Sequence, residues 1–200
     1  MNKIKNKLML LNARSIAASC PKYIKSIICH YDTIHICAHK NYILQLLYYL
    51  NKNTCLQLKI LGDMVGVDYP GKKTRFRVIY NLLSVHFNCR IFITVYTKEL
   101  DSIHSAVAVY RSAEWLEREV WDLFGIPFHN HPDLRRILTD YGFKGHPLRK
   151  DFPLSGYIEV FYDDTKKRII YAPVSFAQEY RIFTFRNPWL PKNLKKKVLK

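Results

Sequence analysis

The hydrophobic period of this chain changes at Gly125, and no single regular architecture accommodates both sides of that change. Upstream, "RFRVIYNLLSV" alternates Phe76, Val78, Tyr80 and Leu82 with Arg75, Arg77 and Asn81, so it predicts a strand with a core face and a wet face. "CLQLKILGDMVGV" and "RIFITVYT" read as two further strands, divided from it by "DYPGKK" and "HFNC", and "TIHICAH" as an earlier one. "NYILQLLYYLN" places Ile43, Leu44, Leu47 and Leu50 at helical spacing, and Pro21 to Ile28 is expected to form a short helix. A last helix is expected in "SAEWLEREVWDLFG", with Ser112 as N-cap and Gly125 as C-cap. Its apolar face would be Trp115, Leu116, Val120, Leu123 and Phe124, and Glu114, Arg118 and Asp122 would form a solvated ladder contributing only about 0.2–0.5 kcal/mol per pair. Beyond Gly125 proline and glycine recur and periodicity fades. The reading is therefore a basic segment (1–30), an α+β domain of helices packed on a mixed β-sheet (31–125) and an extended, largely irregular C-terminal docking arm with a basic tail (126–200).

Charge narrows the partners. The net charge is +16, and the first acidic residue is Asp32. The last stretch, "PKNLKKKVLK", holds five lysines and no acid. Nucleic acid, anionic lipid or an acidic protein surface would each complement such ends. Fixing the backbone of a tail like this costs about 1–2 kcal/mol per residue, so an ordered tail implies a partner that holds it. The acid-free N-terminal segment is basic and partly amphipathic, as organelle transit peptides are. It is expected to be retained on a protein made in the compartment where it works. No apolar run approaches the roughly 20 residues that span a bilayer. Cys20, Cys29, Cys37, Cys55 and Cys89 contain no CxxC, which supports neither an iron-sulfur cluster nor a structural zinc and leaves buried reduced thiols as the expectation.

The stretch "HNHPDLRRILTDYGFKGHPLRKDFPLSGY", His129 to Tyr157, concentrates the residues able to do chemistry. His129 and His131 are two apart and fit no HExxH arrangement, and Asp133 and His146 would join them in a metal site only if the chain doubled back. There is no GxGxxG, no phosphate loop of the GxxxxGK[ST] kind and no GxSxG. Glu117, Glu119 and Asp122 have arginine-rich surroundings, so they are expected to stay ionised rather than act as a proton-transferring pair. RNA binding is supported by charge and by strands mixing aromatics with Arg75, Arg77 and Arg90, although the RNP pattern is missing. A docking surface fits better. Pro132 and Asp133 would start a short helix ended by Gly142, and Arg135, Arg136 and Arg149 are side chains suited to buried polar contacts between proteins.

From "EREVWDLFGIPFHNHPDLRRILTDYGFKGHPLRKDFPLSGYIEVFYDD" the chain closely resembles the thirty-kilodalton subunit family of respiratory complex I, the proton-pumping NADH:ubiquinone oxidoreductase. The residues that carry the family pattern are Glu117, Arg118, Glu119, Asp122, Leu123, Phe124, His131 and Arg135. The resemblance runs through "KKRIIYAPVSFAQEYRIFTFRNPW" and so covers Ser112 to Trp189, whereas the first hundred residues match mainly in length and strand–helix order. Phe161 departs from it, standing where the family usually has arginine, which puts one salt bridge from arm to partner in doubt.

The resemblance implies a non-catalytic subunit of the NADH:ubiquinone reductase, with no redox centre, metal or cofactor of its own; FMN and iron-sulfur clusters would reside in partner subunits. It also implies a hetero-oligomer on the matrix side of the mitochondrial inner membrane, peripheral and possibly encoded in the organelle, in which the arm embraces the large 49 kDa-type quinone-site subunit near the small iron-sulfur subunit. His131, Asp133, Arg135, Arg136, Asp140, Arg149, Lys150 and Asp151 are the expected interface residues. Glu117, Arg118 and Asp122 are the expected brace between domain and arm. The equivalent subunit of a plastid quinone-reducing complex or of a membrane-bound hydrogenase is the alternative within the family, and a free basic RNA-binding protein the alternative outside it.

Overall fold

The computed structural model describes residues 2–30 and 33–183, without the side chains of residues 2–8. The lysine-rich end and the last part of the resemblance, residues 184–189, lie outside the described residues.

Alternation dictates the sheet. Strands β1 (Ile24–His30), β2 (Thr33–Ala38), β3 (Ile60–Asp68), β4 (Phe76–Ser84) and β5 (Cys89–Thr97) form one mixed sheet in the order β1-β2-β5-β4-β3. β2 and β5 run parallel, and every other neighbouring pair is antiparallel. The parallel pair needs a long crossover, which the chain supplies through helix α2 (Ile43–Lys52), β3 and β4. Along β4, Phe76, Val78, Tyr80 and Leu82 are fully buried, as their alternation predicts. The face bearing Arg77, Ile79 and Asn81 is half-buried rather than wet.

Helix α1 (Asn2–Ser19) occupies the basic N-terminal segment and inserts Ala13 and Ile16 into the core. α2 buries Ile43, Leu46, Leu47 and Leu50, the i, i+3, i+4, i+7 stripe of a 3.6-residue period; Leu44, expected there, lies at its edge and is half-buried. The short helix expected from Pro21 to Ile28 is instead β1. The β-branched Ile24, Ile27 and Ile28 favour a strand, and antiparallel pairing with β2 sets Ile27 opposite Ile36 and Cys29 opposite Ile34. Helix α3 (Ala113–Phe124) lies against β3, where Gly66 leaves room for the Phe124 ring.

Chain contacts divide the molecule into Met1–Leu154 and Ser155–Lys200. The stretch from 126 to 154, expected to begin an independent arm, belongs with the first unit, because its polar groups are used by α3 rather than by a core of its own. Strands β6 (Ile103–His104) and β7 (Phe128–His129) pair in parallel at its start. Among the described residues, the second unit is irregular apart from one hairpin, β8 (Ile158–Asp163) with β9 (Arg168–Pro173). Among the described residues no helix is long and apolar enough to cross a membrane.

Candidate functional site

Three charged residues of α3, Glu117, Arg118 and Asp122, are buried, so of the expected solvated ladder only Glu114 is exposed. Glu117 and Asp122 have no exposed surface and Arg118 is 8% exposed, whereas Trp115, expected on the apolar face, is 63% exposed. The Arg118 guanidinium covers that indole at 5.1 Å, and its Nε donates to the Arg135 carbonyl at 3.1 Å. A carboxylate without solvent must find donors elsewhere. α3 meets this demand by drawing the following segment onto itself.

Asp122 shows how. Its Oδ2 accepts from the amides of Ile137, Leu138 and Thr139 at 3.2, 2.8 and 2.9 Å, and its Oδ1 from the Thr139 hydroxyl at 2.7 Å and Arg136 Nη1 at 3.4 Å. Burial alone would raise its pKa, but the Thr139 hydroxyl and the three amides prevail and hold it below the usual aspartate value. Ile137, Leu138 and Thr139 would lie inside the expected helix, where their amides would bond to carbonyls four residues back; here they are given to Asp122 instead. That is why 132–142 forms turns instead of the expected short helix, and Gly142, at φ +74°, bends a loop rather than ending one.

The carbonyl end of α3 is closed by basic side chains, as its negative dipole end favours. Gly125 takes the left-handed conformation at φ +72°, confirming its expected place after the helix. His146 Nδ1 donates to the Asp122 carbonyl at 2.9 Å, the Leu148 amide to the Leu123 carbonyl at 3.1 Å and Arg149 Nε to the Phe124 carbonyl at 2.6 Å. Arg149 Nη1 also reaches Glu99 at 2.7 Å. Glu99 in turn lies 3.3 Å from Arg75, which grips Asp68 with two bonds of 2.8 and 2.9 Å and Asp151 at 3.0 Å. The Lys150 amide completes Asp68 at 2.9 Å. Arg75 and that amide, against the opposing effect of burial, hold the Asp68 carboxyl below its ordinary range.

Glu117 has a different environment. Ser105 Oγ donates to Oε2 at 2.6 Å and the Ala106 amide to Oε1 at 2.7 Å. The His131 side chain is also buried, its Nε2 3.8 Å from Glu117 and 3.1 Å from the Glu114 carbonyl. Since the Asp133 amide donates to His131 Nδ1 at 3.1 Å, neutral His131 carries its proton on Nε2. Loss of solvent outweighs the two donors and pushes the Glu117 pKa up to about 7, which corrects the expectation that it stays ionised.

The expected interface residues therefore separate into two groups. His131, Arg136 and Arg149 turn into the chain, while Asp133, Arg135, Asp140, Lys150 and Asp151 reach solvent, with Asp133 and Arg135 paired at 2.9 Å. Asp68, Arg75, Glu99, Ser105 and Thr139 were not anticipated, since residues up to 82 positions apart meet here. Only the Asp68–Arg75 pair had a local cue, at the two ends of the turn-forming "DYPGKKTR". The histidines weighed as ligands do not converge, and no group of three or more His, Cys, Asp or Glu among the described residues could hold a metal. Cys20 is buried, but Cys29, Cys37 and Cys89 are half-buried and Cys55 is exposed, so burial accounts for only one thiol.

In the second unit the hairpin puts Ile158, Val160 and Tyr162 beside Pro173, Tyr171 and Ile169 on one face. The five large side chains among them are 50–64% exposed. The other face mixes Phe161 and Ile170 with Glu159, Asp163 and Arg168.

The comparisons agree on one family. The description "Respiratory-chain NADH dehydrogenase, 30 Kd subunit" matches residues 36–158. The chain is 49% identical over 176 residues to "NADH-ubiquinone oxidoreductase subunit 9" of Prototheca wickerhamii, covering 88% of this chain and 92% of that one. It is 56% identical over 149 residues to "NADH dehydrogenase [ubiquinone] iron-sulfur protein 3" of Arabidopsis thaliana, covering 74% and 78%. The solved Nqo5 trypsin-resistant fragment (1-134) superposes with a TM-score of 0.53 at 28% identity, covering 65% of this chain and 99% of the fragment. The matched region contains β3, β4, β5, the end of β2, α3 and the segment that α3 organises, so the chain belongs to the family of the 30 kDa subunit of respiratory-chain NADH dehydrogenase.

Proposed function

We propose that this chain is a non-catalytic structural subunit of the peripheral arm of a mitochondrial NADH:ubiquinone reductase. It holds the quinone-binding module in the geometry required for electron transfer coupled to proton pumping. The observation that carries the reading is the hairpin β8–β9, a two-stranded sheet with an apolar face left open. Two strands alone are marginal in water, and a contiguous patch of large apolar side chains marks a contact surface. The large 49 kDa-type quinone-site subunit, near the small iron-sulfur subunit, is the partner we assign to it, and Asp133, Arg135, Asp140, Lys150 and Asp151 of the first unit are the polar contacts we assign to the same assembly. Arg136, Arg149 and His131 serve indirectly, by shaping the segment that presents those contacts.

Electrons would pass through FMN and iron-sulfur clusters in neighbouring subunits, since the cysteine spacing here suits no cluster. The work of this chain is positional: the buried carboxylates of α3 fix the segment 131–151, and the hairpin continues from it. The subunit would sit peripherally on the matrix face. Relatives whose names specify ubiquinone as the acceptor and NADH as the donor favour this over the plastid or hydrogenase equivalents and over a free RNA-binding protein.

The test is the native particle after mild detergent extraction, assayed for NADH:quinone activity. The chain is expected in a very large, inhibitor-sensitive NADH-oxidising assembly. A chain running alone near its own 23.7 kDa would overturn the reading.

A further inference from the structure

All the helices packed on the large sheet lie on its Phe76–Val78–Tyr80 side, and the opposite face carries a groove of about 290 Å³. Val65, Ile79 and Phe92 form its apolar walls, and His35, Asp63, Asn81 and Arg77 its polar ones. The strand register aligns these residues: His35 pairs with Phe92, Phe92 with Asn81, Asn81 with Asp63, and Arg77 lies two positions along β4 from Ile79.

Arg77 stands out in this groove. Every other arginine between residues 75 and 149 that is half-buried or deeper is bound to a carboxylate or to a main-chain carbonyl. Arg77 has neither. Among the described residues its one hydrogen bond is from Nη2 to the Thr94 hydroxyl, 3.4 Å long, its Nε is buried without a partner, and its guanidinium rests 5.9 Å from the Tyr96 ring. Asp63, the nearby acid, turns Oδ1 onto the Met64 amide at 2.7 Å and forms no ion pair with it. The Asn81 carbonyl oxygen is likewise buried without a donor. A half-buried cation with one long bond to a neutral hydroxyl and a buried, unpartnered Nε bears a desolvation cost that a carboxylate would offset, and the planar guanidinium fork matches that group in shape. His35 does not compete as a cation: burial, then the charges of His30 and Arg77, push its imidazole below the ordinary histidine pKa, and its ring stacks on Phe92 at 5.0 Å.

We propose that this groove seats an acidic side chain of another subunit, its carboxylate on Arg77 and its apolar neighbours over Val65, Ile79 and Phe92. This would be a second docking surface, on the opposite side of the chain's sequence from the hairpin, and it rests on the reading of the chain as a structural subunit. An acidic partner complements a chain of net charge +16. A free small anion suits the groove less well, because one guanidinium is set among apolar walls, with Val65 46% and the adjoining Ile28 62% exposed. A polypeptide covers such surface as it brings the charge.

The experiment expresses the full-length chain in the cell that assembles the complex, with Arg77→Glu, Arg77→Lys, or a photo-crosslinking amino acid at position 65. Arg77→Glu is expected to lower incorporation into the NADH-oxidising particle at least tenfold, and Arg77→Lys to restore part of it, with the thermal melting of the isolated variants unchanged. Illumination is expected to join position 65 to a different polypeptide, within a few residues of an Asp or Glu. Incorporation of Arg77→Glu at the wild-type level overturns the proposal, as does a crosslink only to lipid, to a second copy of this chain or to nothing. If Arg77→Glu itself melts early, the crosslink in the otherwise unaltered chain decides. Failure of the wild-type chain to enter any large particle would instead sink the structural-subunit reading.

Discussion

Asp122 and Glu117 lie five positions apart on one helix and respond oppositely to burial. Asp122 has three amides, a hydroxyl and a guanidinium directed at it, and its pKa is lowered; Glu117 has two donors, and its pKa rises to about 7. The sign of each contribution to stability follows. Asp122 binds its proton less readily folded than unfolded, so its contribution is present above the unfolded value near 3.8 and is lost as pH falls through its folded pKa. Glu117 binds its proton more readily folded, so its contribution is complete below about 4.5 and declines as pH rises toward about 7. Because His35 and His146, with lowered pKa values, add stability as pH rises over the same range, the test is the difference in urea stability between wild type and Glu117→Gln, expected to change by about 3 kcal/mol between those pH values, from about 1.4 kcal/mol per pKa unit. Parallel pH profiles of the two proteins would contradict this. Asp122→Asn sets an amide NH2 against donors and should lower stability by about 3 kcal/mol, seen as a reduced urea midpoint at pH 7.

At the scale of elements, α3 and the segment 131–151 are mutually dependent. The helix has carboxylates that need donors and carbonyls that need caps, and the segment has amides and arginines that need acceptors. Arg149→Ala removes bonds to Phe124, Gly125 and Glu99 together and should cost about 2 kcal/mol. Hydrogen exchange should report faster opening of the last turn of α3, with the amides of β4 unchanged. Gly125→Ala places a methyl group against the Arg149 and His146 side chains in a left-handed backbone, so its melting temperature should fall at least as far. Equal exchange at α3 in wild type and Arg149→Ala would show that the cap carries no weight.

For the whole molecule the hairpin gives the clearest separation of folding from assembly. Val160 and Tyr171 pair across β8 and β9 and are 50% and 63% exposed. Val160→Asp with Tyr171→Asp should leave the isolated chain's urea midpoint within about 0.5 kcal/mol of wild type, as surface changes do, yet reduce the amount of assembled particle severalfold. The Michaelis constant for NADH in whatever particle remains should be unchanged. Loss of the isolated fold in this variant would mean that the face packs within the chain. Arg136→Ala cannot make the same distinction, because Arg136 binds Asp122, Thr139 and Gly145 of its own chain.

Alternation along β4, the stripe of α2 and the Gly125 stop were legible because they arise from neighbours within a few residues, where backbone geometry dictates which side chains share a face. The family signature was legible for another reason, as a pattern of residue types, before any of its contacts had a meaning. Tertiary structure alone decided the environment of those types. Glu114, Arg118 and Asp122 have the spacing of a solvated ladder, and only the return of residues 131–149 onto α3 buries two of them and supplies their partners. The strand at Ile24–His30 has β-branched isoleucines as a local cue, but only the ladder to β2 fixes its place and register. Burial and hydrogen bonding between distant residues have no local period, so no reading of nearby residues could assign them; they follow from where the chain returns upon itself.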